Sequence, residues 1–253
     1  MPRCLDNSTF CKRGHGGICL FYKSFLKEGI SVIETDNQGA IWIKLDSSFV
    51  YTSVDVYICF IYIPPHNSIY FNLHSEGFFE YLERTVCHYS SLGLTSIIGD
   101  LNARCGNKSD YLQADEQLPV FINTLDNNDI CTNYLPERFC KDTIVNSSGN
   151  KLIDLCLNSD LRIVNGRWGF DVVIGDYTFM TANGSSTIDY VLAHQELFPF
   201  ISNFAVHEYF SFSPHAPIEI SFNFNVDKAS SGEEKVTIQN GIGVTTMISQ
   251  THI

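Results

Sequence analysis

Basic residues are scarce in this chain: 16 Lys and Arg stand against 28 Asp and Glu, a formal net charge of -12 over 253 residues. An acidic surface repels phosphate backbones unless cations gather locally, so composition argues against a general nucleic-acid binder. Any such function must rest on a particular site. No apolar run approaches membrane-spanning length. The opening stretch Met1-Pro2-Arg3-Cys4-Leu5-Asp6-Asn7 has neither an apolar signal core nor an Arg-rich amphipathic pattern. No C-x-x-C pair occurs among Cys4, Cys11, Cys19, Cys59, Cys87, Cys105, Cys131, Cys140 and Cys156, so zinc spacing is missing. Their odd number and scatter through apolar runs read as reduced, mostly buried thiols. The expectation is an intracellular protein, nuclear or cytoplasmic, with no membrane partner. The sequons at Asn7 and Asn146 then carry no glycosylation meaning.

What the chain does have is apolar substance: 44% of residues are hydrophobic and 13% aromatic, enough for a large core. Gly14 to Gly17 signals a turn before the apolar run Ile18 to Phe25. Ile41, Ile43 and Leu45 alternate with Trp42 and Lys44 as in a half-buried strand. Val54 to Ile63 is apolar on both faces, an interior strand that Pro64-Pro65 stops. Phe78, Phe79, Leu82 and Val86 recur at helical spacing among Glu80, Glu83 and Arg84, and Ser91-Leu92-Gly93 ends that helix. Thr95 to Ile98 predicts a buried strand, Leu112 to Leu125 a helix, Ile153 to Cys156 a helical segment and Leu161 to Val164 a strand. Tyr177 to Phe179, Thr187 to Leu192, Phe204 to Phe212 and the alternating Ile218, Ile220, Phe222 and Phe224 predict further strands. From about Val226 the pattern fades. The expected organisation is one mixed α/β domain over 1–225 and a flexible tail over 226–253.

Four clusters carry chemistry. Gly99-Asp100-Leu101-Asn102 follows a buried strand, where open α/β sheets bind ligands. A carboxylate and an amide two residues apart suit a hard cation or a phosphate, and equally a strand-capping Asx-turn. Asp189, between Ile188 and Tyr190, is either a water-facing edge residue or a buried acid that needs a partner such as histidine. His215, held between Pro214 and Pro217 across Ala216, is either an exposed ring or one positioned at a phosphate. Tyr62 closes the interior strand before Ile63-Pro64, as a core aromatic or as a phosphate-contacting hydroxyl. The basic residues Arg104, Lys108, Arg138, Lys141, Lys151 and Arg167 either line a DNA groove or lie scattered on a solvated surface.

In order and spacing, Tyr62-Ile63-Pro64, Gly99-Asp100-Leu101-Asn102, Ile188-Asp189-Tyr190 and Ser213-Pro214-His215 resemble the motifs of the endonuclease/exonuclease/phosphatase superfamily. The resemblance runs from about Gly16 to Phe224. Intermediate segments are similar to the non-LTR retrotransposon branch: Arg13 to Phe21 as its Gly-Gly turn and strand, Leu135-Pro136-Glu137-Arg138 with Asp142, Gly149 to Cys156, Ile163 to Arg167, and Gly175 to Phe179.

The resemblance implies an α/β fold, a four-layered sandwich of two mixed, mostly antiparallel sheets packed face to face with helices outside, here lacking the first strands. It implies an Mg²⁺-dependent phosphodiester hydrolase acting on DNA, with a reverse transcriptase as a partner domain in a parent element. Asp100 would orient or deprotonate the attacking water, and Asn102 would hold a phosphate oxygen or, with Asp100, the metal shell. His215 would stabilise the phosphoryl group, Asp189 would orient His215, and Tyr62 would contact the phosphate. Two departures stand out. No match to the family's metal-binding Glu segment lies upstream of the Gly-Gly turn, and Pro214 replaces the Asp of the S-D-H motif. The expectation is therefore a degenerate endonuclease-type domain that binds Mg²⁺ weakly and cuts little. The competing readings are a non-catalytic binding domain that keeps the fold and a phosphatase acting on phosphoinositides or other small phosphoesters.

Overall fold

A computed structural model of the chain describes residues 18–35, 39–68, 71, 77–112, 135–224 and 242–246. Its centre is a six-stranded sheet built from β1 (Ile30–Thr35), β2 (Ala40–Leu45), β3 (Asp55–Tyr62), β4 (Gly93–Asp100), β5 (Leu161–Ile163) and β8 (Asp189–His194), in the order β1-β2-β3-β4-β8-β5. A short hairpin pairs β6 (Phe179–Thr181) with β7 (Gly184–Ser186). The second large sheet pairs β10 (Ile218–Phe222) with β9 (Ile201–Val206) on one side and β11 (Ile242–Thr246) on the other. The helices are a single turn α1 (Ser47–Val50), α2 (Phe78–Ser90) and α3 (Ser147–Ser159).

The two faces of the central sheet are buried differently. One carries Trp42, Cys59, Ile61, Ile97 and Leu192 against α2 and α3. The other carries Ile43, Ile58, Phe60, Ile98 and Val191 against Phe204, Ile220 and Phe222 of the second sheet. Strands covered on both sides need apolar residues without alternation, which is why β3 reads Val56 to Ile61 unbroken. This is the expected α/β sandwich of two sheets packed face to face. Among the described residues the long helices lie on the outer face of the six-stranded sheet alone.

Helix α2 buries Phe78, Phe79, Leu82, Val86 and Tyr89, the stripe that its spacing predicts. It is the crossover between β3 and β4, the parallel pair of the sheet. That connection sets the position of the site. Parallel register places Tyr62 beside Asp100 at the carboxyl ends of both strands, and antiparallel β8 brings Asp189 opposite Asp100. Helix α3 starts at Asn146, whose side chain accepts from the Gly149 N–H, and stops at Asp160 in the left-handed conformation.

Several expectations are corrected. Residues 18–23 form no strand and lead into a 3₁₀ turn at Ser24–Leu26. Strand β2 is not half-buried, because Trp42 is fully enclosed and packs its ring at a tilt against Tyr89, so both of its faces are covered. The strand expected over Phe204 to Phe212 ends at Val206; beyond it Phe210 and Phe212 stack on each other in an exposed loop. The helix expected over Leu112 to Leu125 falls, apart from Leu112, outside the described residues. Within the expected tail, Ile242–Thr246 pairs with β10, and the rest lies outside the described residues. No described helix is long and apolar enough to cross a membrane.

Candidate active site

The strand exit at Gly99-Asp100 depends on a residue without a side chain. Gly99 has φ +153, and a Cβ there would lie 1.9 Å from the carbonyl oxygen of Ile61 on the adjacent strand. Packed this closely, the chain delivers Asp100 to the interior, where it has no solvent exposure. The turn is then locked locally. Asn102 adopts φ +45, a conformation Asn tolerates better than most residues. Its backbone N–H donates to Asp100 Oδ1 at 2.9 Å, and its Nδ2 donates to Asp100 Oδ2 at 3.1 Å and to the Ile63 carbonyl at 2.8 Å. The turn is thus an Asx-turn as well as the floor of a site, and the two readings of G-D-x-N coincide.

Asp189 is buried and has the partner its burial demands. Both of its oxygens lie 3.1 Å from His215 Nδ1, which donates to them because a carboxylate only accepts. His215 is itself buried, with the Phe179 ring edge-on at 4.8 Å. One potential ligand atom from each of Asp100, Asp189 and His215 lies within 4.8 Å of the others. Burial, reinforced by the charge of Asp189, pushes the Asp100 carboxyl well above the usual carboxylate range; the hydrogen bonds from Asn102 oppose this without reversing it. Tyr62 is half-buried at the end of β3, in register with Asp100. The structure therefore brings Asp100, Asn102, Asp189 and His215 together, with Tyr62 on the adjacent strand.

No protein-family model matches the chain, and no curated protein matches it. Among the solved structures similar to it are three nucleic-acid-processing proteins. One is the endonuclease domain of TRAS1, a telomere-specific non-LTR retrotransposon, at 15% identity and a TM-score of 0.46, covering 79% of this chain and 70% of that one. A second is the 3'-5' exonuclease NExo from Neisseria meningitidis, at 13% identity and a TM-score of 0.45, covering 75% and 68%. The third is the 3' phosphatase NExo (D146N) from Neisseria bound to a product DNA hairpin, at 12% identity and a TM-score of 0.46, covering 76% and 70%.

As a cation site, the cluster can be judged from its donors. Two carboxylates at one point fit a single Mg²⁺, which commonly takes one or two carboxylates and completes its shell with water and phosphate oxygens. The set is nevertheless lean. Both oxygens of Asp100 already accept from Asn102, and both of Asp189 face His215. Pro214 adds no side-chain donor, and its carbonyl accepts from the Met180 N–H at 2.8 Å.

Residues beyond the predicted set hold this arrangement. The Thr178 hydroxyl, fully buried, accepts from the N–H groups of both Ile188 and Asp189 at 3.0 Å. Asn165 donates to the Asp189 carbonyl at 3.1 Å and accepts from the Val191 N–H at 3.0 Å, tying β8 to the end of β5. Asp142 accepts from the Thr187 N–H while gripping Arg104 through two 2.7 Å hydrogen bonds. Nothing in Tyr177-Thr178-Phe179 marks its threonine. For Asn165 the signal was available: an Asn directly after a strand, followed by Gly166 at φ +69.

Of the six basic residues considered for a groove, two are buried and the others have local partners. Arg167 is buried and binds Asp110 through two 2.7 Å contacts, and Arg138 is buried with its guanidinium on the carbonyls of Gly106 and Lys108. Lys141 pairs with Asp176 at 2.9 Å, Lys151 pairs with Glu80 at 3.1 Å, and Lys108 donates to Asn150. A single-residue reading of charge cannot see that each cation has a local structural partner.

Proposed function

We propose that this chain is a phosphodiester hydrolase of the endonuclease/exonuclease/phosphatase type, acting on DNA and weakened by an incomplete metal shell. The observation that carries this reading is the buried Asp189–His215 contact beside Asp100. An acid, an acid-oriented imidazole and an amide at the ends of adjacent strands form the residue set that in-line phosphoester hydrolysis needs.

The roles follow from position. Asp100, whose carboxyl favours its neutral form more than an ordinary aspartate, exchanges a proton with the attacking water. Asp189 accepts from Nδ1–H of His215 and orients the ring, so that in the imidazolium form Nε2–H donates to a phosphoryl oxygen. Asn102, with Nδ2 committed to Ile63 and Asp100, has its carbonyl oxygen left for the substrate or a cation. Tyr62 contacts the phosphate from β3. As the water oxygen bonds to phosphorus, its proton passes to the ionised form of the Asp100 carboxyl, the P–O ester bond breaks, and the departing oxygen takes a proton from solvent. Asp100 and Asp189, with Asn102, are the residues that would hold Mg²⁺, which when bound neutralises charge on the phosphoryl group.

One observation favours a second reading, a fold-keeping domain without catalysis: Asp100, Asp189 and His215 are only 0%, 1% and 4% exposed, and a substrate must reach at least one of them. Calorimetric titration with Mg²⁺, paired with a plasmid-nicking assay, separates the two. Specific Mg²⁺ binding and slow nicking lost in His215→Ala support the hydrolase. Absence of both supports the non-catalytic domain.

A further inference from the structure

Beside the buried cluster, with Asn102 as a wall of its own, lies an open cleft of about 340 Å³ lined by His66, Asn67, Asn102, Asn146, Ser147 and Ser148. That volume is of the size that holds nucleotide-sized ligands. One side of it is the first turn of α3, a helix of 13 residues with no acidic side chain in that turn. The first N–H groups of a helix have no acceptor within it, and its N-terminal end carries partial positive charge. Here the Asn146 side chain satisfies the Gly149 N–H at 2.7 Å and the Asn150 N–H reaches the Asn146 carbonyl. The N–H groups of Ser147 and Ser148 find no acceptor among the described residues.

A second observation is independent of the helix end. Ser148 is only 5% exposed, and its hydroxyl makes no hydrogen bond among the described residues, although it lines the cleft. The hydroxyl is committed to no described neighbour and faces the cleft, so it is free to bind what enters there. A neutral ligand would explain the hydroxyl but not the bare helix end, and a cation would be repelled by it. An anion whose atoms are all acceptors answers both.

We propose that this cleft is a phosphate subsite, formed by the Ser147 and Ser148 N–H groups and the Ser148 hydroxyl, with Asn102 as the wall shared with the Asp100–Asp189–His215 cluster. Its ligand is a phosphate of the nucleic-acid backbone adjacent to the one cut. This assignment of the ligand rests on the hydrolase reading; the binding of a phosphate group does not. The subsite supplies to an acidic protein the local phosphate affinity that the paired and buried cations do not.

The test is a titration of the ¹⁵N-labelled chain with inorganic phosphate in chloride buffer, without metal, followed by NMR. Ser148→Ala removes the hydroxyl. Ser147→Pro removes one N–H at the first helical position, where proline is tolerated. Asn146 before it is already extended at φ -112, ψ 179, as a residue preceding proline requires. Saturable shifts at the Ser147 and Ser148 amides in the native chain are expected. Affinity should fall about tenfold in each variant, with the rest of the spectrum preserved. No saturable shift at these amides, or binding unchanged in both variants, overturns the subsite. Cleavage assays decide the hydrolase reading separately. Phosphate binding without cleavage leaves the subsite and removes the enzyme, whereas cleavage without phosphate binding at α3 does the reverse.

Discussion

Asp100 and Asp189 face each other as cross-strand partners of β4 and β8, two carboxylates closed off from solvent at the same end of the central sheet. Like charges so placed destabilise each other unless a proton or a cation intervenes. In metal-free buffer, Asp100→Asn removes the repulsion but turns one of the two acceptors facing Asn102 into a donor, so stability is expected to rise by less than about 1 kcal/mol. Thermal melting in EDTA checks this. A melting temperature that falls by several degrees would show that the Asp100 charge supports the fold.

The Asp110–Arg167 pair makes a prediction about acid. Burial pushes the Asp110 carboxyl up, but the hydrogen bonds and charge of Arg167, aided by the Ile163 N–H, outweigh it and hold the group below its ordinary 3.8. A depressed folded-state pKa means that the unfolded chain binds the proton more readily. The stabilisation is therefore complete above about pH 4 and is lost as pH falls from there through the folded value. Urea unfolding between pH 7 and pH 3 should show this loss. At pH 7, Arg167→Met strands a buried carboxylate and should cost about 3–5 kcal/mol, whereas Asp110→Asn combined with Arg167→Met should recover part of it.

Thr178→Val keeps the shape of the side chain and removes the acceptor shared by the Ile188 and Asp189 N–H groups. Two buried donors lose their partner, so the expected cost is about 1–3 kcal/mol. Hydrogen exchange at these two amides should accelerate more than in the rest of β8. Equal exchange in both proteins would mean that Thr178 does not position the strand.

Gly99→Ala places a methyl group against the Ile61 carbonyl in a backbone conformation that alanine avoids. The expected loss is at least about 3 kcal/mol, read as a large drop in melting temperature or in soluble yield. A stable, soluble variant would show that β3 and β4 can separate without harm.

How much of this was legible beforehand follows from the kind of signal each feature leaves. Helix α2 and the doubly covered strands β3 and β4 were visible, because burial imposes a pattern on consecutive residues. Asp100, Asn102, Asp189 and His215 stood out because polar groups at strand ends and inside apolar runs need an explanation. That a buried Asp189 needs a partner such as histidine follows from the cost of burying an acid alone, whereas its pairing with His215, 26 residues apart, is what the family resemblance implies. Thr178 was not legible, since a threonine between two aromatics fits any strand. Arg138 and Arg167 were misplaced at the surface, because only the fold shows that Asp110 waits inside for Arg167. Trp42 was assigned to a half-buried strand because alternation in β2 runs across two cores rather than between core and water.

The proposed phosphodiesterase site is short of one oxygen donor, at Pro214. The most direct test is Mg²⁺-dependent plasmid nicking by the native chain, Pro214→Asp and His215→Ala side by side. The Pro214 carbonyl that binds Met180 is retained in the aspartate variant. Slow nicking by the native chain, at least tenfold faster nicking by Pro214→Asp at low Mg²⁺, and none by His215→Ala are expected. Robust nicking by the native chain that Pro214→Asp leaves unchanged, or nicking that survives His215→Ala, would mean that the site works otherwise than proposed.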